Sequence, residues 1–247
     1  YIGIVMVQVE QIVTVEENLF LTPGVRKISF RLKQPMSFKP GQFITLWLPY
    51  GDTILRRSYS LANLEKNTVK VIEIAVSAVP EGRATKILFA LHPGDEVKLT
   101  GPFGRLVLPV EQKGRYILVG TGTGIAPYRT MLMELEELIQ KNEQLSVLLL
   151  FGVRERQEAC YLQDFIDFAD RHKRFTYKLC LSRQDADSAD EYAGYVQGAL
   201  AEETLNPDQD LVYLCGNPAM IDETVKMLLA IHFPQRSIKR EKYISSN

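Results

Sequence analysis

The chain of 247 residues is long enough for one or two domains, and its 46% hydrophobic content can fill substantial cores. A formal net charge of −1, the lack of basic clusters interleaved with aromatic residues, and the lack of a long apolar run argue against nucleic-acid binding and a membrane span. The three cysteines, Cys160, Cys180 and Cys215, are too few and too scattered for a disulfide framework or an iron–sulfur site, so we expect a reducing, cytoplasmic compartment and no bound metal.

Residues 1–110 are predicted to form a small antiparallel β-barrel. Short β-rich runs alternate there with turn sequences such as Thr22-Pro-Gly24 and Lys39-Pro-Gly41. One short helix, roughly 84–91, interrupts the strands. Six strands with one helix are typical of a closed barrel. The predicted strands cover residues 5–15, 25–32, 42–48, 57–62, 69–76 and 95–100.

Residues 111–247 are predicted to form a second domain with a parallel sheet, because strand and helix patterns alternate after Gly114. Asn217-Pro218 is a good helix start, with asparagine as the N-cap and proline as the first helical residue. The predicted strands cover 115–119, 145–151, 175–181, 210–215 and a last one at 237–244, and the predicted helices cover 128–141, 161–171 and 217–231.

The segment Gly120-Thr-Gly-Thr-Gly-Ile-Ala-Pro127 joins a buried strand to an amphipathic helix. A glycine-rich turn at such a junction directs backbone N–H groups and the positive end of the helix dipole at an anion. Tight strand–helix packing is the alternative explanation for the glycines. No Lys-Ser/Thr pair follows them, which excludes a Walker loop, and the spacing differs from the usual dinucleotide fingerprint.

Two further motifs are expected at the same edge of the sheet. Phe151-Gly152 and Cys215-Gly-Asn-Pro218 also follow predicted strands. Ligands of an open parallel sheet bind at the carboxyl ends of its strands. We therefore predict a nucleotide site at this edge.

In the barrel half, Arg57-Ser-Tyr-Ser60 closes a predicted strand. Strand alternation puts Arg57 and Tyr59 on one face and Ser58 and Ser60 on the other, unless a bend intervenes. Arginine suits a pyrophosphate, a tyrosine ring suits a planar heterocycle, and a serine hydroxyl can bond to a ring nitrogen. Alone, the motif is equally compatible with a cross-strand aromatic beside a surface arginine.

Five motifs follow one another along the chain: Arg57-Ser-Tyr-Ser60, Gly82-Arg-Ala-Thr85, Gly101-Pro-Phe-Gly104, Gly120-Thr-Gly-Thr-Gly-Ile-Ala-Pro127 and Cys215-Gly-Asn-Pro218. Their order resembles the ferredoxin–NADP reductase superfamily, whose bacterial-type members pair a flavin-binding barrel with a nicotinamide-nucleotide domain. The resemblance covers essentially the whole chain.

The resemblance implies an FAD site in the barrel. Arg57 would neutralise the flavin pyrophosphate, Tyr59 would pack on the isoalloxazine, and Ser60 would bond near N5, with Ser58 in the same motif. A helix that begins at Gly82 would hold the pyrophosphate through N–H groups and a hydroxyl. The residues at that helix start are Gly82, Arg83, Ala84 and Thr85.

The resemblance also implies a nicotinamide site in the second domain. Gly122, Thr123 and Gly124 would let the nucleotide approach the backbone, and Cys215 and Gly216 would lie beside the nicotinamide. A small buried hydrophobe at a strand end is the alternative for Cys215.

Relatives in this superfamily close with Glu-x-Tyr, which matches Glu241 and Tyr243 here, although residues 244–247 follow. Tyr243 is therefore either the ring that covers the flavin or an ordinary strand residue.

The choice between NADPH and NADH depends on cations for the 2′-phosphate. Ser182 and Arg183 match a Ser-Arg pair of NADPH-using relatives, and Arg154 matches a second basic position. The neighbouring acids could instead pair with these arginines, NADH-using relatives tolerate an arginine near this place, and Tyr195 stands where some relatives have a third basic residue. The sequence favours NADPH.

The implied activity is electron transfer between NADPH and a one-electron carrier through FAD, in either direction. We expect the carrier, such as ferredoxin or flavodoxin, to be an acidic protein on a separate chain. Residues 1–110 hold 13 Lys/Arg against 9 Asp/Glu, and residues 111–247 hold 16 against 21. This asymmetry indicates either two ordinary surfaces or a basic docking face. The alternatives are an NADH-dependent reductase subunit of a multicomponent oxygenase, a free-flavin reductase and a non-catalytic nucleotide sensor.

Overall fold

The computed structural model describes residues 8–65, 67–109 and 114–243, which fall into two units. Among these residues, the first unit contains those up to Leu108 together with Ala126–Met133, and the second contains Pro109 and residues 114–125 and 134–243. Each unit holds its own six-stranded sheet. Within the described residues, no helix combines the length and the apolar character that a membrane crossing requires.

The sheet of the first unit is antiparallel, with the strand order β4-β3-β6-β1-β2-β5. Its elements are β1 (Val9–Thr22), β2 (Val25–Phe38), β3 (Phe43–Tyr50), β4 (Thr53–Ser60), β5 (Asn67–Ser77), α1 (Arg83–Phe89) and β6 (Glu96–Phe103). Just past β4, Leu61 pairs with Ile74, and the Ala62 amide donates to the Glu73 carbonyl at 2.8 Å, which joins the two edges. The predicted six-stranded antiparallel barrel with one helix is confirmed.

Alternation along each strand separates the barrel core from its outer face. In β3 the side chains of Ile44, Leu46 and Leu48 are buried, whereas Thr45 and Trp47 between them point outward. Each buried aliphatic side chain contributes about 1.5–3 kcal/mol of burial free energy. The period of two in the sequence is therefore what determines the face of the strand that packs inward.

The first strand is longer than predicted at its carboxyl end, and the predicted residues 5–7 lie outside the described part. The polar run Glu16-Glu17-Asn18 breaks the apolar alternation on which the sequence prediction relied. In the structure a register shift between Val15 and Glu17 accommodates this run, and pairing with β2 continues to Thr22. A bulge absorbs one residue without ending the strand, so polar residues here did not mark its end.

The sheet of the second unit is parallel, with the order β10-β9-β8-β7-β11-β12. Its strands are β7 (Arg115–Thr121), β8 (Ser146–Val153), β9 (Phe175–Leu181), β10 (Glu191–Ala193), β11 (Asp210–Gly216) and β12 (Ile238–Lys242). The helices are α2 (Ala126–Lys141), of which residues 134–141 belong to this unit, α3 (Leu162–Arg171), α4 (Val196–Ala201) and α5 (Pro218–Ala230). This confirms the predicted parallel sheet with helices.

Two short elements of this unit, β10 and α4, were missed. A three-residue strand and a six-residue helix are too short to show periodicity in sequence. Packing stabilises them instead: Val196, Ala199 and Leu200 of α4 belong to the buried core of the sheet. The last strand was predicted at 237–244 and is observed at Ile238–Lys242.

Candidate functional site

The strand β4 presents the predicted flavin motif on both of its faces. Arg57 and Tyr59 are half-buried on one face, and Tyr59 packs against the barrel core. Burial raises the pKa of the Tyr59 phenol to about 12, so this hydroxyl stays protonated. Ser58 is exposed on the other face and shares a 3.1 Å hydrogen bond with Thr45 of β3. Ser60 is buried at the strand end.

The helix α1 begins at the predicted position, with Gly82 as its N-cap and no side chain capping it. A Cβ on Gly82 would lie 2.9 Å from the Val79 Cβ and 3.0 Å from the Val79 carbonyl oxygen, so only glycine fits this turn. The first intrahelical bond runs from Lys86 to the Gly82 carbonyl. The amides of residues 83–85 therefore have no acceptor within the helix and point out of its N-terminal end.

The carboxyl end of α1 is held by Asn18, a residue that sequence reasoning missed. The Asn18 side-chain amide donates to the carbonyl oxygens of Leu88 at 2.9 Å and Leu91 at 2.8 Å. Its amide oxygen accepts from Arg26, whose guanidinium lies 4.1 Å from the centre of the Phe20 ring. No local pattern reveals such a cap, since its partners lie 70 and 73 residues away.

In the second unit the glycine-rich turn follows β7 as a single 3₁₀ turn, Gly122–Ile125, which leads directly into α2. Pro127 occupies the first turn of α2, as predicted. Gly122 has φ +54°, a left-handed conformation that favours glycine, and a Cβ there would meet nothing within 4 Å. The space beside Gly122 is open.

Gly124 is glycine for a different reason. A Cβ on Gly124 would lie 2.4 Å from the carbonyl oxygen of Cys215 and 2.7 Å from the Cα of Gly216. Gly216 in turn has φ +118°, and a Cβ there would lie 2.6 Å from the Thr121 carbonyl oxygen. The glycine turn and the Cys215-Gly216 motif therefore interlock, backbone against backbone. Tight packing explains Gly124 and Gly216 without any ligand.

The three glycine motifs meet at one edge of the sheet, as predicted. Gly120 pairs with Phe151 on one side and Cys215 on the other, and Thr121 pairs with Gly152. The Asn217 side chain accepts from the amides of Ala219 and Met220, which confirms it as the N-cap of α5.

Cys215 is fully buried at the end of β11, where it pairs with Glu241 of β12. Burial, and secondarily the Glu241 carboxylate, raises the pKa of the Cys215 thiol well above its usual value, although a hydrogen bond from the Tyr243 side chain opposes this. Cys215 is therefore a neutral thiol. The Tyr243 amide donates to the Gly216 carbonyl at 2.9 Å, so Tyr243 is held next to this strand end.

Ser182 and Arg183 follow β9 at the same sheet edge. The Ser182 amide donates to the Val153 carbonyl at 3.1 Å, and the Arg183 amide donates to the Arg154 carbonyl at 2.9 Å. The backbones of the two predicted phosphate-binding arginines thus lie side by side. Tyr195, at the start of α4, has a highly exposed ring.

The side chains of these two arginines differ. Arg154 makes an ion pair with Glu158, with 2.5 Å between Nη2 and Oε1 and 3.1 Å between Nε and Oε2. Arg183 is exposed, and its side chain has no ion pair or hydrogen bond among the described residues. Arg154 is therefore ion-paired with a nearby acid, but that acid is Glu158 and not the adjacent Glu155.

Comparison with known proteins matches both parts of the chain to oxidoreductase domains. Residues 12–108 match the oxidoreductase FAD-binding domain, and residues 118–226 match the oxidoreductase NAD-binding domain.

Two curated relatives and one solved structure are similar to nearly the whole chain. The aromatic O-demethylase reductase subunit of Amycolatopsis sp. (strain ATCC 39116 / 75iv2) is 32% identical over 93% of this chain and 68% of its own length. The phenol 2-monooxygenase reductase component of Pseudomonas sp. (strain CF600) is 30% identical, over 92% of this chain and 63% of its own length. The crystal structure of an Amycolatopsis cytochrome P450 reductase superposes with a TM-score of 0.84 at 32% identity, over 97% of this chain and 71% of the other.

The chain therefore spans 68% of the length of the Amycolatopsis relative and 63%, less than two thirds, of the length of the Pseudomonas relative. Given the two matching domains, the interlocked glycine motifs and the identity to reductases, the chain belongs to the ferredoxin–NADP reductase-like family of flavoprotein oxidoreductases.

Proposed function

We propose that this protein uses FAD to transfer electrons between NADPH and a one-electron carrier protein, such as ferredoxin or flavodoxin, on a separate chain. The observation that carries the proposal is the sheet edge of the second unit. It combines the open space beside Gly122 with the exposed cation of Arg183, whose side chain makes no ion pair in the described part of the chain. An anionic nucleotide fits backbone N–H groups at a helix start together with a nearby arginine.

The residues of the first unit fit a flavin. The start of α1 carries no capping side chain, and the amides of residues 83–85 have no partner within the helix, which suits a pyrophosphate. Arg57 would add a positive charge to that site, and the protonated Tyr59 would offer a ring and a hydrogen-bond donor. A bound flavin would supply the chemistry that the side chains lack, acceptance of an electron pair as hydride and its release as single electrons.

In the second unit Cys215, Glu241 and Tyr243 would form the nicotinamide end of the site. Cys215 is buried and hydrogen-bonded to Tyr243, so we infer that Tyr243 must move before a nicotinamide ring can contact the thiol. Because the thiol is neutral, Cys215 would act by contact and shape and not as a nucleophile.

An NADH-dependent reductase component of an oxygenase system is the second candidate. The ion pair between Arg154 and Glu158 favours it, because it leaves one of the two arginines predicted to bind a 2′-phosphate, Arg183, without a carboxylate partner among the described residues. The two relatives named above are the reductase subunit of an aromatic O-demethylase and the reductase component of a phenol 2-monooxygenase. For either candidate the acceptor would be a separate, acidic electron carrier.

One experiment separates these functions. The purified protein is passed through a gel-filtration column, its visible spectrum is recorded, and it is titrated anaerobically with NADPH and with NADH. The proposal expects retained flavin that bleaches with NADPH at lower concentration than with NADH. Bleaching preferentially by NADH supports the oxygenase-type reductase, and loss of flavin on the column supports a free-flavin reductase. A protein that no nucleotide bleaches would be a sensor.

Replacing Arg57 by alanine is expected to weaken flavin binding about tenfold, or about 1.4 kcal/mol. A charge-assisted bond to phosphate is worth up to about 3 kcal/mol, but Arg57 already donates to the Arg56 carbonyl at 2.9 Å and would exchange part of that bond. Flavin affinity is measured by fluorescence titration of the apoprotein. Arg56→Ala is the matched control, because Arg56 lies on the outer face against the Trp47 ring, 3.8 Å away. Equal losses in both variants would refute a role for Arg57.

Cys215→Ala and Glu241→Gln are expected to slow flavin reduction by NADPH while flavin content stays unchanged, because both residues lie in the second unit at the nicotinamide end. Stopped-flow absorbance measures the rate. Cys180→Ala is the control, since Cys180 is another fully buried thiol of the same sheet, opposite Gly152. Rates equal to wild type in both test variants would remove these residues from the site.

A further inference from the structure

The loop between β9 and β10, residues 182–190, carries Ser182 and Arg183 and contains no regular secondary structure. Residues 183–190 are all exposed. The first anchor of the loop is the pair of backbone bonds that Ser182 and Arg183 donate to Val153 and Arg154. At the far end of the loop, the Leu179 amide donates to the Asp190 carbonyl at 2.8 Å. An exposed loop held only at its two ends would leave the Arg183 side chain with many orientations.

Arg156 supplies a further anchor between these two ends, on the carboxyl side of Arg183. Its guanidinium forms a fork on the Glu191 carboxylate, with 2.5 Å from Nε to Oε1 and 2.6 Å from Nη2 to Oε2. Nη2 also lies 3.0 Å from Oδ2 of Asp187 and donates to the Asp185 carbonyl at 3.2 Å. The Arg156 amide donates to the Gln184 side chain at 2.9 Å. Arg156 therefore contacts the loop at Gln184, Asp185 and Asp187, and it also contacts Glu191, the first residue of β10.

These contacts are stronger than an ordinary surface ion pair. The Glu191 side chain is only 10% exposed, and bidentate arginine–carboxylate pairs fix geometry as well as charge. Glu191 also accepts from the Asp187 amide at 2.7 Å, so the carboxylate joins the loop backbone to the guanidinium. The Arg156 hydrogen bond lowers the pKa of Glu191 to about 2, so the fork stays ionised at working pH.

We propose that Arg156 is a positioning residue that holds the 182–190 loop and so presents Arg183 at the sheet edge. Arg156 thereby sets how strongly the site discriminates between nucleotides with and without a phosphate on the adenosine ribose. This inference rests on the proposed function, in which Arg183 receives that phosphate. Arg156 itself does not touch the nucleotide. Its own cation is neutralised by Glu191 and Asp187.

The first test measures the loop itself. Trypsin cleaves after arginine, so the rate of cleavage of the Arg183–Gln184 bond, followed by mass spectrometry, measures how firmly the loop is held. Arg156→Gln is expected to accelerate this cleavage about tenfold. Arg171→Gln is the matched control, because Arg171 forms an exposed ion pair with Glu136 elsewhere in the same unit.

The second test measures phosphate discrimination by calorimetry with 2′,5′-ADP and 5′-AMP, which require no turnover. Arg156→Gln is expected to weaken 2′,5′-ADP about tenfold and 5′-AMP less than twofold. The loss of one positive charge near the site would also weaken 2′,5′-ADP binding in this variant, without any change in the loop. Glu191→Ala separates the two explanations: it makes the site more positive, so a charge effect predicts tighter 2′,5′-ADP binding, whereas loss of the anchor predicts weaker binding.

Weaker 2′,5′-ADP binding with unchanged 5′-AMP binding in both variants supports the inference. Tighter binding in Glu191→Ala, equal losses for both ligands, unchanged trypsin cleavage, or a wild type that does not discriminate between the ligands would overturn it. If Arg156→Gln does not fold, as judged by circular dichroism, Glu191→Ala and Arg156→Lys, which keeps the charge without the fork, decide the question. A wild type that discriminates but whose flavin neither NADPH nor NADH bleaches would instead refute the proposed function.

Discussion

Replacement of Gly124 by alanine is expected to destabilise the second unit by about 3 kcal/mol or more, at the upper end of the range for overpacking. The added Cβ would lie 2.4 Å from the Cys215 carbonyl oxygen and 2.7 Å from the Gly216 Cα. Both neighbours are backbone atoms of β11, which pairs with β7 on one side and β12 on the other. The strand therefore cannot move aside without breaking its hydrogen bonds.

Gly122→Ala is the matched control, two residues earlier in the same turn. Gly122 has φ +54°, so alanine there costs about 1–2 kcal/mol of backbone strain, but its Cβ would meet nothing within 4 Å. Chemical denaturation of both variants, with NADPH affinity measured beside it, tests the contrast. We expect Gly122→Ala to fold and to bind NADPH more weakly, because the methyl group enters the open space. A Gly124→Ala protein as stable as wild type would refute the packing explanation.

The fold was largely predictable because its signals are local. The parallel sheet followed from alternating apolar runs and helical periodicity, and the Asn217 cap and the position of Pro127 follow from rules that involve neighbouring residues. The barrel followed from the period of two in strands such as β3. Where the sequence misled, as at the bulge after Val15, a polar run was absorbed by a register shift that depends on pairing with β2.

The site was less predictable because its contacts are distant in sequence. Pairing of the arginines with adjacent acids such as Glu155 was the alternative to phosphate binding. The observed partners lie further away: Arg156 pairs with Glu191, 35 residues away, and Arg154 pairs with Glu158. Asn18 caps a helix 70 residues away. Gly124 was assigned to nucleotide approach, whereas contact with β11 already explains it. That nucleotide role stays a prediction.

Arg183→Ala is expected to lower kcat/KM for NADPH by about 10- to 150-fold, which corresponds to one charged hydrogen bond of about 1.5–3 kcal/mol. The value for NADH should scarcely change. The two nucleotides differ only at the 2′-phosphate, which is remote from the hydride, so a residue that binds it changes preference without changing the chemistry. Steady-state kinetics with both nucleotides gives the two ratios.

The structure also predicts the order of effects among the neighbouring cations. Arg154→Ala should act in the same direction but more weakly, because Arg154 must first leave Glu158, which already satisfies its guanidinium. Lys173→Ala is the control, since Lys173 is exposed at the opposite end of β9 and should affect neither nucleotide. A wild type that prefers NADH, or an Arg183→Ala variant that slows both nucleotides equally, would contradict the NADPH assignment. An effect of Arg154→Ala that exceeds that of Arg183→Ala would mean that nucleotide binding breaks the pair with Glu158 and recruits Arg154 as the principal phosphate ligand.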